Sequence, residues 1–384
     1  MRSASRLAEI APFHVMELLT RAKALEAEGR DIIHMEVGEP DFPTPAPIVA
    51  AAQKAIADGN MFYTPALGLP ALREAISCFY HQRYGVDVPA TRIAVTAGAS
   101  GALTLALACL VEPGSEWLLT DPGYPCNRHF IRTFEGTPIS MPVDAASNFQ
   151  PTPALLAQHW NEKTLGALFA SPANPTGTML GAGDLAALAE FVRRHDGQLI
   201  VDEIYHGLTY EEDTTTALAA GDDIFVVQSF SKYFQMTGWR LGWLVIPERF
   251  VRDIEKLAQN LFISPSTPAQ HAALAAFAPE TIAILESRRA EFKRRRDFLS
   301  PALTELGFRL NAKAQGAFYL YADCRALTDD SDSFARTLLE SAGVAVTPGL
   351  DFGSHAPRQH LRFAYTTDIA RLGEAVERIR RHIS

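Results

Sequence analysis

Residues 229–243 read SFSKYFQMTGWRLGW and follow the apolar run Ile224-Phe225-Val226-Val227. A short uninterrupted apolar run suits a buried strand, so Lys232 falls just beyond the end of one, among hydroxyls and aromatic rings. The chain has seven lysines, and the other six lie in charged, mostly helical stretches. Desolvation disfavours an ammonium and lowers the lysine pKa from about 10.4. The free amine is the form that makes a Schiff base with a carbonyl. Arg240 stands eight residues on, past Gly238, where a turn would carry its guanidinium back towards the lysine. A cofactor with one carbonyl and one phosphate would use both groups. Pyridoxal phosphate has both.

Outward from this stretch, helix and strand patterns alternate. Helices are expected over 47–58, 71–84, 100–110, 182–195 and 248–260, and strands over 93–96, 117–120, 165–170, 199–202, 224–228 and 241–246. An earlier helix over 15–28 stops at Gly29, and a short strand over 31–35 follows. Near-continuous apolar strands alternating with helices predict an α/β fold, its mostly parallel or mixed sheet covered on both faces. Ligands of such sheets bind beyond the carboxyl ends of the strands. Gly98-Ala99-Ser100, Asn174, Asp202 and Lys232 each follow a different expected strand.

From about Pro279 the pattern changes. A long charged helix over 282–305 leads to Gly316-Ala317-Phe318-Tyr319-Leu320-Tyr321, a helix over 334–341, strands over 344–347 and 360–364, and a terminal helix over 368–382. The expected division is a large domain over 41–281 and a smaller α/β domain made of 1–40 with 282–384. The long helix would link the two.

The bulk numbers agree with two domains: 384 residues, 47% hydrophobic and 21% charged, enough to bury a core and close off a dry pocket. A net charge of −9 without a basic stripe argues against nucleic acid. The one basic cluster, Arg288-Arg289 with Lys293-Arg294-Arg295-Arg296, is interleaved with Glu286 and Glu291 and reads as a solvated helix face. No run approaches the ~18 apolar residues of a membrane span. Cys78, Cys109, Cys126 and Cys324 are scattered without a C-x-x-C pair, and apolar or aromatic surroundings for three of them suggest buried, inert thiols in a reducing compartment. Residues 1–10 include Glu9 and lack an apolar core, unlike a secretory signal. A cytoplasmic protein is expected.

Several segments carry candidate chemistry. Thr96-Ala97-Gly98-Ala99-Ser100 joins a strand to a helix, and backbone N–H groups at a helix start make an anion site. A plain N-cap by Ser100 is the alternative. No G-x-G-x-x-G or G-x-x-x-x-G-K-[ST] pattern occurs. Asp202 ends the run Leu199-Ile200-Val201, where an unpaired carboxylate is costly and a protonated pyridine nitrogen would be a natural partner. Capping of the next turn is the plainer reading. Tyr205 follows on that turn. Asn174 stands between Pro172 and Pro175, suited either to a turn or to a fixed amide donor, and Tyr124 follows another strand and could stack on a ring. Arg362 lies inside the apolar strand His360-Leu361-Arg362-Phe363-Ala364, and its fork fits a carboxylate or a structural salt bridge.

Taken together, S-x-S-K-x-[YF]-x-x-x-G-x-R, the upstream N-P-T-G and D-x-x-Y, and L-R-F near the C-terminus resemble the class I/II aminotransferases of pyridoxal-phosphate fold type I, in order and over nearly the whole chain. Tyr63-Thr64-Pro65-Ala66-Leu67-Gly68 and Gly38-Glu39-Pro40-Asp41-Phe42 look like the bacterial subgroup containing aspartate aminotransferases. The resemblance implies that Lys232 holds the cofactor as a Schiff base and moves the proton. It implies that Asp202 pairs with the pyridine nitrogen and that Tyr205 and Asn174 meet the phenolate oxygen. Gly98, Ala99, Ser100, Ser229, Ser231 and Arg240 would hold the phosphate, with Tyr124 on the ring. Arg362, Asn174 and the Gly38 N–H would take the substrate carboxylate. Tyr63 would reach the phosphate of a neighbouring subunit, which implies a homodimer with shared sites.

One departure matters. Many aspartate-preferring relatives carry a lysine where this chain has Ser100, and no second cation for a distal carboxylate is evident. Phe13, Tyr124, Phe262 and Phe318 point instead to an apolar or aromatic amino acid. The expected reaction is ping-pong transamination to a 2-oxo acid. The alternatives on the same scaffold are β-elimination by a carbon–sulfur lyase, cyclopropane closure, or a non-enzymatic pyridoxal-phosphate regulator, although no helix-turn-helix pattern precedes Ala11.

Overall fold

The computed structural model describes residues 3–12, 14–211 and 214–384. Its strands are β1 (Ile33–His34), β2 (Ile93–Thr96), β3 (Glu116–Asp121), β4 (Thr137–Pro142), β5 (Thr164–Ala170), β6 (Gln198–Asp202), β7 (Phe225–Ser229), β8 (Gly242–Val245), β9 (Tyr319–Asp323), β10 (Val344–Ala345), β11 (Thr347–Pro348) and β12 (His360–Ala364). Seven of them form one sheet in the order β2-β8-β7-β6-β5-β3-β4. All neighbours are parallel except β8, which runs against both β7 and β2.

Both faces of this sheet are covered, and alternation along each strand shows it. Ala167, Phe169, Leu199, Val201 and Val226 pack into one apolar core, while Leu168, Ile200, Phe225 and Val227 pack into another beneath helices Gly98–Leu110 and Val251–Leu261. The expected mostly parallel, mixed α/β sheet is therefore present.

Two smaller sheets are built from the chain ends. β1 pairs in parallel with β10, and β12 lies between β9 and β11, antiparallel to both. The expected strand over 31–35 is thus only two residues long, and the one expected over 344–347 divides between two sheets. Helix His14–Ala27 and the terminal helix Ile369–Ile383 flank this region. β4 was not expected at all. Two prolines in Thr137–Pro142 mask it, and both are tolerated because β4 is an edge strand.

The long helix spans Pro279–Glu305, and here the expected solvated basic face is wrong in part. Arg295 and Arg296 are buried. Arg295 donates to both Asp41 oxygens at 2.8 and 3.0 Å and lies over the Phe42 ring, and Arg296 bonds Glu211 and the Ala314 carbonyl. Segments from both sides of the helix pack on this face, so its charges are paired inward. The cysteines are all free, but only Cys324 is buried; Cys78 is exposed and Cys109 and Cys126 are half-buried. Among the described residues no helix is long and apolar enough to cross a membrane.

Candidate active site

The carboxyl ends of β2, β5, β6 and β7 open on a cavity of about 430 Å³. Lys232 enters it from a tight turn after β7, where the Ser231 N–H donates to Ser229 Oγ at 3.0 Å and the Gln235 N–H to the Lys232 carbonyl at 3.2 Å. Its Nζ donates to the Gly38 carbonyl at 2.6 Å and lies 5.9 and 5.8 Å from the ring centres of Tyr205 and Phe318. Burial pulls the ammonium pKa down to about 8; Glu39 opposes the shift, while Arg362 and Arg240 add to it. The lowered basicity read from the sequence is present.

Asp202 is the last residue of β6 and only 4% exposed. The Ile204 N–H donates to its Oδ1 at 3.0 Å, so the carboxylate does cap the next turn, as the plainer reading held. It also faces the cavity. Burial pushes its pKa up to about 7 against the pull of that N–H and of Lys232. Tyr205, on the same turn, is buried with its hydroxyl 2.8 Å from that of Tyr319.

The anion cradle depends on the reversed direction of β8. Gly242 begins β8 opposite Thr96 and Ser229, so Arg240, two residues earlier, arrives at the carboxyl ends of β2 and β7. Arg240 has a φ of 53° and donates from Nη1 to the Thr237 carbonyl at 3.0 Å. Two glycines permit the approach. A Cβ on Gly98 would sit 2.8 Å from Arg240 Nη2, and one on Gly242 would sit 2.8 Å from the Gly98 carbonyl carbon. Helix Gly98–Leu110 has Ala97 as its N-cap residue and no capping side chain, so Ser100 is not the cap. Ala99, Ser100, Ser229, Ser231 and Arg240 all line the cavity around this helix start.

Arg362 is buried on β12. Its Nη1 donates to Asn174 Oδ1 at 2.9 Å, and its Nη2 donates to Thr347 Oγ1 at 3.2 Å and to the Glu36 carbonyl. Its Nε has no hydrogen-bond partner among the described residues. The guanidinium lies over the Tyr319 ring at 4.3 Å, and no carboxylate among the described residues pairs with it. The structural salt bridge is therefore not what the arginine serves. Gly38 lies beside it because a side chain cannot: a Cβ there would fall 1.9 Å from the Tyr319 hydroxyl.

Tyr124, Asn174 and Gly38 also line the cavity, but Tyr63 does not; its side chain is 82% exposed. Of the four residues read as favouring an apolar substrate, Tyr124 lines the cavity, Phe318 is buried behind it and Phe262 lies outside the lining. Phe13 lies outside the described residues. The sequence reading missed Glu39, Thr237, Tyr319, Val15 and Met16. A signal existed for Tyr319 alone, in the aromatic Phe318-Tyr319 after Gly316, and its contact with Gly38 spans most of the chain.

These groups suit pyridoxal phosphate. The buried Asp202 carboxylate has one N–H donor among the described residues and can take a ring N–H. The helix start, with Arg240, suits a phosphate, and the unpartnered Arg362 Nε suits a carboxylate. Residues 30–379 match the family described as aminotransferase class I and II. The chain belongs to that family. This aminotransferase is 36% identical over 374 residues to the valine–pyruvate aminotransferase of Mycobacterium tuberculosis, covering 97% of this chain and 96% of the relative. It is 33% identical over 385 residues to the aspartate/prephenate aminotransferase of Thermus thermophilus, covering 99% of each. The crystal structure of an aminotransferase from Mycobacterium tuberculosis superposes with a TM-score of 0.97 at 36% identity, over 100% of this chain and 99% of the other. The protein is a pyridoxal-phosphate-dependent enzyme that transfers amino groups between amino acids and 2-oxo acids.

Proposed function

We propose that this aminotransferase takes its amino group from L-amino acids with an apolar or aromatic side chain, and that Lys232, Asp202 and Arg362 divide the chemistry. The observation that carries the reading is their convergence on one cavity, with a lysine weakened as a base, a buried acid and an arginine that has no acidic partner among the described residues. When bound, pyridoxal phosphate supplies the aldehyde that exchanges for an amino group and a ring that withdraws electrons. Lys232 Nζ would anchor it and, once freed, would accept the proton from the donor α-carbon and pass it to the carbon that gains the amino group. The Asp202 carboxylate would keep a proton on the ring nitrogen. Tyr205 Oη and Asn174 Nδ2 would donate to the phenolate side, Asn174 Oδ1 being engaged by Arg362. Gly98, Ala99, Ser100, Ser229, Ser231 and Arg240 would hold the phosphate, Tyr124 would face the ring, and Arg362 with the Gly38 N–H would take the substrate carboxylate.

The donor class rests on charge. Among the described lining residues the cations are Lys232, Arg240 and Arg362, each already assigned, whereas Val15, Met16, Val37, Leu103 and Ile204 are apolar. The relative named for valine agrees; the one named for aspartate does not. A homodimer is part of this reading, supported by the exposed Met61, Phe62 and Tyr63. So is a cytoplasmic location, supported by four free cysteines. The division into 41–281 and 1–40 with 282–384 is supported by the seven-stranded sheet lying wholly within the first. Single-turnover spectra with valine, leucine, phenylalanine and aspartate as donors test the substrate class. A kcat/KM for aspartate equal to or above the others would overturn it.

A further inference from the structure

Arg362 is held by a segment whose own anchor lies outside the cavity. The Glu36 carbonyl accepts from Arg362 Nη2 and from Thr347 Oγ1, the latter at 3.0 Å, and two residues on the Gly38 carbonyl accepts from Lys232. The Glu36 side chain is 0% exposed. One of its oxygens meets His34 Nδ1 at 2.7 Å, and the other has no hydrogen-bond partner among the described residues. A buried carboxylate deprived of its counter-charge is among the costliest groups a fold can hold. His34, with a side chain 32% exposed, also meets Glu26 of helix His14–Ala27 through Nε2 at 3.1 Å. The Glu36 hydrogen bond raises the imidazole pKa to about 9, burial opposes, and Glu26 adds to the rise. Among other charged groups packed around β1, Arg371 and Arg378 are engaged by Asp31 and Glu374, and Arg21 by Glu340.

We propose that the Glu26–His34–Glu36 relay positions Arg362 for carboxylate binding: the cationic imidazole keeps the Glu36 side chain buried, and its carbonyl thereby stays on the guanidinium. The inference rests on Arg362 being the substrate-carboxylate site. Neither His34 nor Glu36 lines the cavity, so both are positioning residues. As the pH rises through about 9 the imidazole loses its charge, Glu36 loses its counter-ion, and carboxylate binding weakens.

The test uses cofactor-loaded enzyme and 3-methylbutanoate, a carboxylate without an amine, as inhibitor, together with KM and kcat for the amino donor. His34→Ala is expected to raise Ki and KM about tenfold and change kcat less than about twofold. Glu36→Gln keeps the shape without the charge and stays within about threefold of wild type, as does the double variant, because an amide needs no counter-ion. The loss of affinity above about pH 9 in the wild type disappears in Glu36→Gln. An unchanged Ki in His34→Ala, or a double variant as weak as His34→Ala alone, overturns the proposal. Should His34→Ala not fold, an alkaline loss that persists in Glu36→Gln overturns it equally. Arg362→Ala separates the two levels. If it leaves Ki unchanged, the carboxylate site itself is misassigned; if it weakens binding while His34→Ala does not, only the relay fails.

Discussion

Replacing Asp202 by Asn should make the cofactor-free enzyme more stable and the loaded enzyme worse. The change keeps the shape and the acceptor for the Ile204 N–H but removes the buried charge. A folded-state pKa raised from 3.8 to about 7 means that the native state binds more protons than the unfolded state between those values. Stability is therefore lost as the pH rises through that window. At 1.36 kcal/mol per pH unit the wild-type penalty is about 2 kcal/mol at pH 5 and about 4 kcal/mol at pH 8, both upper bounds because real interiors relax. With an unfolding entropy of ~2.1 cal/mol/K per residue, these correspond to a thermal midpoint higher by about 2 °C at pH 5 and about 5 °C at pH 8 in Asp202→Asn. Scanning calorimetry of cofactor-stripped protein at the two pH values measures this. Adding pyridoxal phosphate should reverse the order, since only the carboxylate pairs with a protonated ring nitrogen. Equal midpoints at pH 8, or the same gap at both pH values, would refute the claim that this acid is held at a cost for a charge the cofactor brings.

Lys232 of the cofactor-free protein should react with an acylating reagent with a midpoint near pH 8, against roughly 10.4 for an ordinary lysine, so that at pH 7 its free-base fraction is about 200-fold higher. Peptide mapping reads this, and Glu39→Gln should lower the midpoint, because Glu39 favours the ammonium; an unchanged or higher value counts against the assignment. Gly38→Ala places a Cβ 1.9 Å from the Tyr319 hydroxyl and should cost at least about tenfold in kcat/KM, partly regained with Tyr319→Phe. Arg240→Ala should raise the cofactor dissociation constant about 10- to 100-fold, the worth of one charge-assisted phosphate contact, measured by equilibrium dialysis. Retention equal to wild type would remove Arg240 from the cradle.

The parts of this molecule visible in the sequence are those whose signal is local. β5, β6 and β7 are buried on both faces and therefore read as unbroken apolar runs, and the groups just beyond them, Asn174, Asp202 and Lys232, inherit that visibility. β4 was invisible because its edge position lets prolines stand where a strand pattern needs donors. Arg295 and Arg296 misled for the opposite reason. Their spacing on a charged helix looks solvated, and only the packing of Asp41 and Glu211 against that face turns it inward. Glu39 and Val15 are near the cavity through tertiary contact alone, and the polar relay behind Arg362 joins Glu26, His34 and Glu36 to a strand more than three hundred residues away.

The electrostatic pattern of the cavity argues for its ligand more strongly than any one residue. Burial weakens both Lys232 as a cation and Asp202 as an anion, so each is driven towards neutrality near physiological pH. Among the described residues, Arg362 and Arg240 have no acidic side chain as a hydrogen-bond partner and lean on carbonyls, an amide and a hydroxyl. A fold optimised for stability alone would pair or remove these groups. Their complement is a molecule bearing a proton on a ring nitrogen, an anion at the helix start and a carboxylate at β12. That is the charge distribution of pyridoxal phosphate beside an amino acid, and on the proposed reading it accounts for groups costly to the empty fold: binding would supply the missing half of each pair.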